Sequence, residues 1–308
     1  MHIKSAIKKG VRRALYKTGI TTKPNSFHWS NIFNLKQYFL SRKRDPALSK
    51  AEVGCIMCTW MEDFTVKLAL ESTKDFVSRF IVVDKGEGST AEIVATCRDD
   101  WELNLELYIK PELNLRDSRQ FALQRIDEPW ILVQDGDMVF HTDGPLAISN
   151  IRGFMDRPNI FLTCPFNCLY GDFKHTWPGK ERWAAHPILY HNNGTVRAPK
   201  HEKDLPVMDA WAINLGQPYV FNCLIKPPIR MFLRGYWRDW CMESDAYLRY
   251  PNLEKYVVDE LKIDVEKEVG VWFKRYMDAL VLYDEKKWGY YPKIIRNYLE
   301  KRGDIPLF

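Results

Sequence analysis

Apolar residues recur along the first half of the chain as short runs separated by helical periods. Val53–Thr59, Phe80–Asp84, Leu105–Ile109 and Trp130–Val133 are each apolar at nearly every position, as in strands buried on both faces of a sheet. Between them the spacing becomes helical. Residues 62–72 place Phe64, Leu68 and Ser72 on one face, Ala91–Arg98 follows the turn Lys85-Gly-Glu-Gly-Ser-Thr90, and Arg116–Ile126 is closed by Pro129. Ser89 or Thr90 is placed to cap the second helix. Strands alternating with helices predict an α/β fold with a mostly parallel sheet.

Beyond residue 140 the pattern is less regular. Ile160–Cys164 reads as a strand, and Asn167–Trp183 as an aromatic loop. Pro187–Tyr190, Asn192-Asn-Gly194 and Thr195–Arg197 read as a hairpin with an Asn-Gly turn. Tyr256–Val265, Glu266–Leu282 and Lys293–Lys301 read as helices of a C-terminal extension. At the other end, Ile3, Ile7, Val11 and Leu15 form a narrow apolar stripe flanked by Lys4, Lys8, Lys9, Arg12, Arg13 and Lys17. That arm can lie on an anionic membrane surface or pack on the protein itself. The expected organisation is a basic arm and connector (1–50), an α/β domain (51–250) and a helical extension (251–308).

Composition narrows the classes. The 308 residues are 46% hydrophobic, enough for a large core, and the net charge of +5 is modest. Lysines and arginines are dispersed apart from the first 20 residues, which disfavours a nucleic-acid partner. No apolar run is long enough to span a bilayer and no cleavable signal opens the chain, so the expected setting is cytoplasmic, with peripheral membrane contact through the arm as a further expectation. Seven cysteines suit a reducing compartment. Cys55 and Cys58 lie three apart on a strand and so face opposite sides, a poor arrangement for zinc.

The candidate chemistry centres on Asp135-Gly136-Asp137, at the carboxyl end of the fourth apolar run. Ligands of open α/β sheets bind at that edge. Two acids there are costly unless a cation accompanies them, so a divalent cation clamping a diphosphate is one reading and an Asp-Gly turn the other.

The order of these features resembles the family 2, inverting type of nucleotide-sugar glycosyltransferase with the GT-A (Rossmann-like) fold, over about 51–140 and extending to about 240. The second strand of that family ends in Val-Asp before a Gly-Ser-Thr turn. Here the stretch is Val83-Asp84-Lys85-Gly86-Glu87-Gly88-Ser89-Thr90. Ser118-Arg119-Gln120 stands where the family has Ala-Arg-Asn, and Met61-Glu62 where it has Asn-Glu. His201-Glu202 matches a later His-Glu, without the usual Trp-x-Gly before it.

The resemblance implies a nucleotide-sugar donor, with UDP-sugars favoured, a glycan or lipid-linked acceptor, and Mn2+ or Mg2+. It makes Asp137 a metal ligand, places Asp135 on the ribose or a metal-bound water, and makes His201 a third metal ligand. Asp84 would accept from the nucleoside, Thr59, Trp60 and Glu62 would line its pocket, and Arg119 would neutralise phosphate. The general base would be Glu202, with Asp209, Asp204 and Asp172 as further carboxylates. The basic, aromatic stretch Pro227–Trp240 would close over donor or acceptor, or serve domain packing. A nucleotidyltransferase is the alternative enzyme class, but Thr59–Asp63 lacks its Gly-rich basic loop. A non-catalytic scaffold keeping the fold is the third reading.

Overall fold

The computed structural model describes residues 43–198, 206–240, 246, 249–250 and 252–302. The basic arm, His201, Glu202, Asp204 and Cys241 lie outside the described residues.

The first half builds as its pattern predicts. Strands β1 (Val53–Thr59), β2 (Arg79–Asp84), β3 (Leu105–Ile109) and β4 (Trp130–Asp135) pair in parallel in the order β3-β2-β1-β4. Helices α1 (Val66–Thr73), α2 (Thr90–Asp100) and α3 (Leu115–Leu123) connect them. Alternation along the strands explains why the runs are continuously apolar. Val53, Cys55, Met57, Phe80, Val82, Trp130 and Leu132 pack on one side with Val66, Leu70 and Val94 of α1 and α2. Ile56, Ile81, Val83, Ile131 and Val133 pack on the other with Ala122 of α3. Both faces are covered, so both are predominantly apolar, and the buried Gln134 of β4 is hydrogen-bonded to Thr73 and to the carbonyls of Ala69 and Met138.

Local chemistry shifts two boundaries. The first helix starts at Val66 rather than Glu62, because the backbone turns at Glu62, whose carbonyl accepts from Thr65 and Val66. The cap of α2 is borrowed. Neither Ser89 nor Thr90 caps it through its own side chain; Asp63 Oδ1 accepts from Ser89 N at 3.2 Å and from Thr90 Oγ1 at 2.5 Å. Asn114 caps α3 by accepting from Asp117 N at 2.8 Å.

The second half departs further from expectation. After β5 (Met138–Phe140), strand β6 runs from Ile160 to Tyr170 and, past the short β7 (His175–Thr176), β8 runs from Arg182 to His191. Both ends of the expected aromatic loop are therefore strand, and His175–Thr176 within it form a third short one. Register shifts at Leu162/Thr163 and Cys164/Phe166 interrupt the period-2 signal along β6. The hairpin is also corrected. β8 lies between β4 and β6, antiparallel to both, so no edge is free for Thr195–Arg197. Gly194 keeps its turn conformation at φ +76°, and Arg197 bridges instead to Val207. Strand β9 (Trp211–Asn214) runs parallel to β6, and β10 (Val220–Leu224) joins β6 in parallel and β5 antiparallel.

Helix α4 (Pro228–Arg238) follows, then α5 (Val265–Asp278) and α6 (Lys293–Arg302). The helix expected over Glu266–Leu282 ends at Asp278; Val281–Leu282 forms β11, paired with β7. The helix expected over Tyr256–Val265 stops at Glu260, and Asp264 instead caps α5 by accepting from Lys267 N. Ile294 and Ile295 of α6 pack with Val139 and Phe221 of the sheet. Among the described residues no helix is long and apolar enough to cross a membrane. The six described cysteines are free and buried.

One buried titratable group lies beyond β5. His141 is 5% exposed, its Nε2 has no hydrogen-bond partner among the described residues, and its ring meets Phe221 edge-on. Burial lowers its pKa to about 4, against the opposing pull of Asp143 and with a smaller push from Arg296. The folded state therefore holds a neutral ring that the unfolded chain protonates near pH 6.5. Stability from this group is complete above pH 6.5 and is lost as pH falls towards 4, by roughly 3 kcal/mol in all. Urea unfolding across that window is expected to show a flatter pH dependence for His141→Leu than for the wild type. Parallel curves would contradict this.

Candidate functional site

The carboxyl ends of β1, β2 and β4 lie side by side, with Cys58 opposite Asp135 and Thr59 opposite Asp84. A cavity of about 360 Å³ opens at this edge. Thr59, Trp60, Glu62, Arg119, Asp135 and Asp137 all line it. Asp84 lies behind it, 1% exposed, accepting from Thr59 Oγ1 at 2.6 Å and from Gly86 N at 2.6 Å. Burial raises the Asp84 pKa, and these two hydrogen bonds oppose the rise. Its structural effect is to orient Thr59 and the glycine-rich turn.

The two acids of the Asp-Gly-Asp turn have different partners. Both oxygens of Asp135 accept from Arg119 Nη2, at 3.1 and 2.9 Å, and Arg119 is brought up from α3 almost fully buried. Asp137 lies 3.6 Å from the ammonium of Lys226, which also pairs with Glu62. Burial raises the carboxyl pKa of both Glu62 and Asp137, with Lys226 as the main opposing influence. Glu62 is further held by Trp60 N, which donates to its Oε2 at 3.3 Å. Gly136 is required by close approach, since a Cβ there would stand 2.7 Å from Thr59 Cγ2 and 2.8 Å from Glu62 Cγ.

The opposite wall comes from α4. Arg230, Arg234 and Trp237 recur at i, i+4 and i+7, so one helical face carries all three into the cavity lining. The Arg230 guanidinium lies over the Trp60 ring, 3.1 Å from its centroid, and Trp60 Nε1 donates to Glu87 at 2.8 Å. Burial lowers the Arg230 pKa to about 9. Trp183, His186, Phe166 and Asn222 close the remaining side.

The placements answer the sequence-based expectations unevenly. Asp209 is exposed, beside the Asn193–Thr195 turn, and is not among the cavity-lining residues. Asp172 accepts from His175 and lies outside the lining as well. Lys226 was not singled out by sequence. The rule that flagged Asp84 and Asp135, a charge at the carboxyl end of an apolar run, also applies to Val220–Ile225 followed by Lys226.

A divalent cation would need ligands beyond one carboxylate. Asp135 is engaged by Arg119, Asp137 faces an ammonium, and among the described residues no group of three His, Cys, Asp or Glu is arranged to hold a metal. Among the described residues, then, both carboxylates of this turn already face a cationic side chain, and the expected third ligand His201 lies outside them.

No family model matches the chain, and no curated protein sequence matches it. Among solved structures, similarity extends to S. aureus TarS, with 18% identity over 59% of this chain and 38% of that chain and a TM-score of 0.42. TarS 1-349 in complex with UDP has 17% identity over 59% of this chain and 64% of that one, with a TM-score of 0.41. GalNAc-T7 with UDP, GalNAc and Mn2+ has 11% identity over 45% and 30%, with a TM-score of 0.32. The chain thus spans less than two thirds of the length of each.

The Gly136 contacts give a test. Gly136→Ala is expected to displace the turn, costing about 1–3 kcal/mol of stability through overpacking. Denaturant unfolding reads the effect. An alanine variant as stable as the wild type would contradict the close packing.

Proposed function

We propose that the chain is a glycosyltransferase of the GT-A type that moves a sugar from a nucleoside diphosphate sugar, a UDP-sugar in the first instance, to a hydroxyl of a glycan or lipid-linked acceptor. The observation that carries this reading is the cavity at the carboxyl ends of β1, β2 and β4, where an acid turn faces buried and half-buried cations and several indoles. Guanidinium and ammonium groups suit a diphosphate, and tryptophan faces suit sugar and base rings. The order of motifs from Val83-Asp84 to Asp135-Gly136-Asp137 supports the same reading.

In the transfer, the acceptor oxygen attacks the sugar's anomeric carbon as the bond to the diphosphate oxygen breaks. The acceptor's proton passes to a carboxylate, and the nucleoside diphosphate leaves with the bonding electron pair. Attack opposite the leaving group inverts the anomeric centre. The base is assigned to Glu202, with Asp209 as the alternative carboxylate. Membrane contact through the basic arm would bring a lipid-linked acceptor within reach.

Two measurements test this. A panel of nucleotide sugars is expected to raise the melting temperature selectively, since a ligand at a hundredfold its Kd stabilises by about 2.7 kcal/mol. Against the matching acceptor, Glu202→Gln is expected to lower kcat by about 10²–10⁴ with donor KM little changed. Loss of kcat in Asp209→Asn but not in Glu202→Gln moves the assignment. No thermal shift with any nucleotide sugar contradicts the donor-site reading.

A further inference from the structure

We propose that Lys226, Arg230 and Arg234 take the place of a divalent cation at the donor diphosphate, so that donor binding and leaving-group departure need no metal. This rests on the donor-site reading above and adds to it the identity of the charge that meets the phosphates.

Three observations converge. The first is the position of Lys226. Its ammonium is 4% exposed and lies against Glu62 and 3.6 Å from Asp137, the carboxylate that a metal would use. A second cation on that carboxylate would be held next to a fixed positive charge between two largely buried side chains, where like charges repel more strongly than in water. The second is Arg230. It is 6% exposed, yet its Nε and Nη1 have no hydrogen-bond partner among the described residues. A buried guanidinium with unused donors is costly, and an anionic oxygen in the cavity it lines would satisfy them. Trp60 holds the guanidinium plane from below and fixes its orientation. The third is the balance of charge. Among the described residues, Lys85, Arg119, Lys226, Arg230 and Arg234 line the cavity against Glu62, Asp135 and Asp137, five basic side chains to three acidic. Base outnumbers acid among these residues, a balance that favours an anion over a further cation.

Geometry assigns the roles. Arg119 is occupied with Asp135 and fixes the turn. Arg230 and Arg234, one helical turn apart on α4, present two guanidinium groups to the two phosphates. Lys226 supplies a third cation beside them from the end of β10. As the bond to the sugar breaks, the added negative charge on the terminal phosphate falls on these groups, which are already in place.

The test is calorimetric titration of UDP into the full chain, once in EDTA and once with excess MnCl2. The expected result is binding in EDTA with an affinity within about threefold of that in MnCl2, a difference of about 0.7 kcal/mol. Arg230→Gln, checked for folding by its thermal transition, is expected to weaken UDP binding at least about tenfold in both buffers, with no recovery on adding MnCl2. UDP binding that disappears in EDTA and returns with MnCl2 overturns the proposal, as does an Arg230→Gln variant that binds UDP like the wild type. The comparison of buffers uses the wild-type chain and so does not depend on any variant folding. Failure of UDP, GDP, CDP and ADP alike, with and without MnCl2, overturns the donor-site reading and this proposal with it; only there is the MnCl2 arm also silent.

Discussion

The ammonium of Lys226, buried between the carboxylates of Glu62 and Asp137, ties together three segments far apart in the chain: the turn after β1, the acid turn after β4 and the end of β10. Burying these charges is expensive, and their mutual attraction offsets the cost only because all are present. Removing the lysine would leave two carboxylates uncompensated, a change of about 3–5 kcal/mol in comparable buried pairs. Pro227 and Pro228 follow at once and start α4. The ion pair thus sets where α4 begins, and with it where Arg230 and Arg234 stand.

The rest of the fold supports that cluster from two sides. Below it, the parallel strands β3-β2-β1-β4 are packed on both faces, which leaves their carboxyl ends as the place where polar groups can gather. Above it, Phe232 and Leu233 of α4 pack with Val265 and Leu253, and Trp272 of α5 meets Phe232 edge-on. Helix α4 is therefore a wall with an apolar back and a basic front. The same amphipathic division that anchors the helix aims its cations.

The legible parts of the sequence are those governed by local periodicity. The runs around Ile56, Ile81 and Ile131 announce buried parallel strands, and the acids that end them announce the site edge. Asp135 and Asp137 fall where that logic puts them. Ile160–Cys164 and Pro187–Tyr190 announce parts of β6 and β8, but their full extent is hidden because bulges break the alternation, and because the aromatic stretch Asn167–Trp183 looks like a loop when its neighbours in the sheet are unknown. The partners of the acids were equally hidden. Lys226 is 164 residues from Glu62, and no local signal links them. The same holds for Asp63, whose capping of α2 depends on a contact across the top of the sheet.

The central claim is that a fixed cluster of side-chain cations receives the donor diphosphate at the carboxyl edge of the sheet. The most direct measurement is a crystal structure of the full chain grown with UDP and MnCl2, with data collected at the manganese absorption edge. The account predicts the diphosphate within hydrogen-bond distance of Arg230 and Lys226, with no anomalous peak at Asp137. A manganese ion bridging Asp137 and the phosphates, or a diphosphate bound outside this cavity, would contradict it.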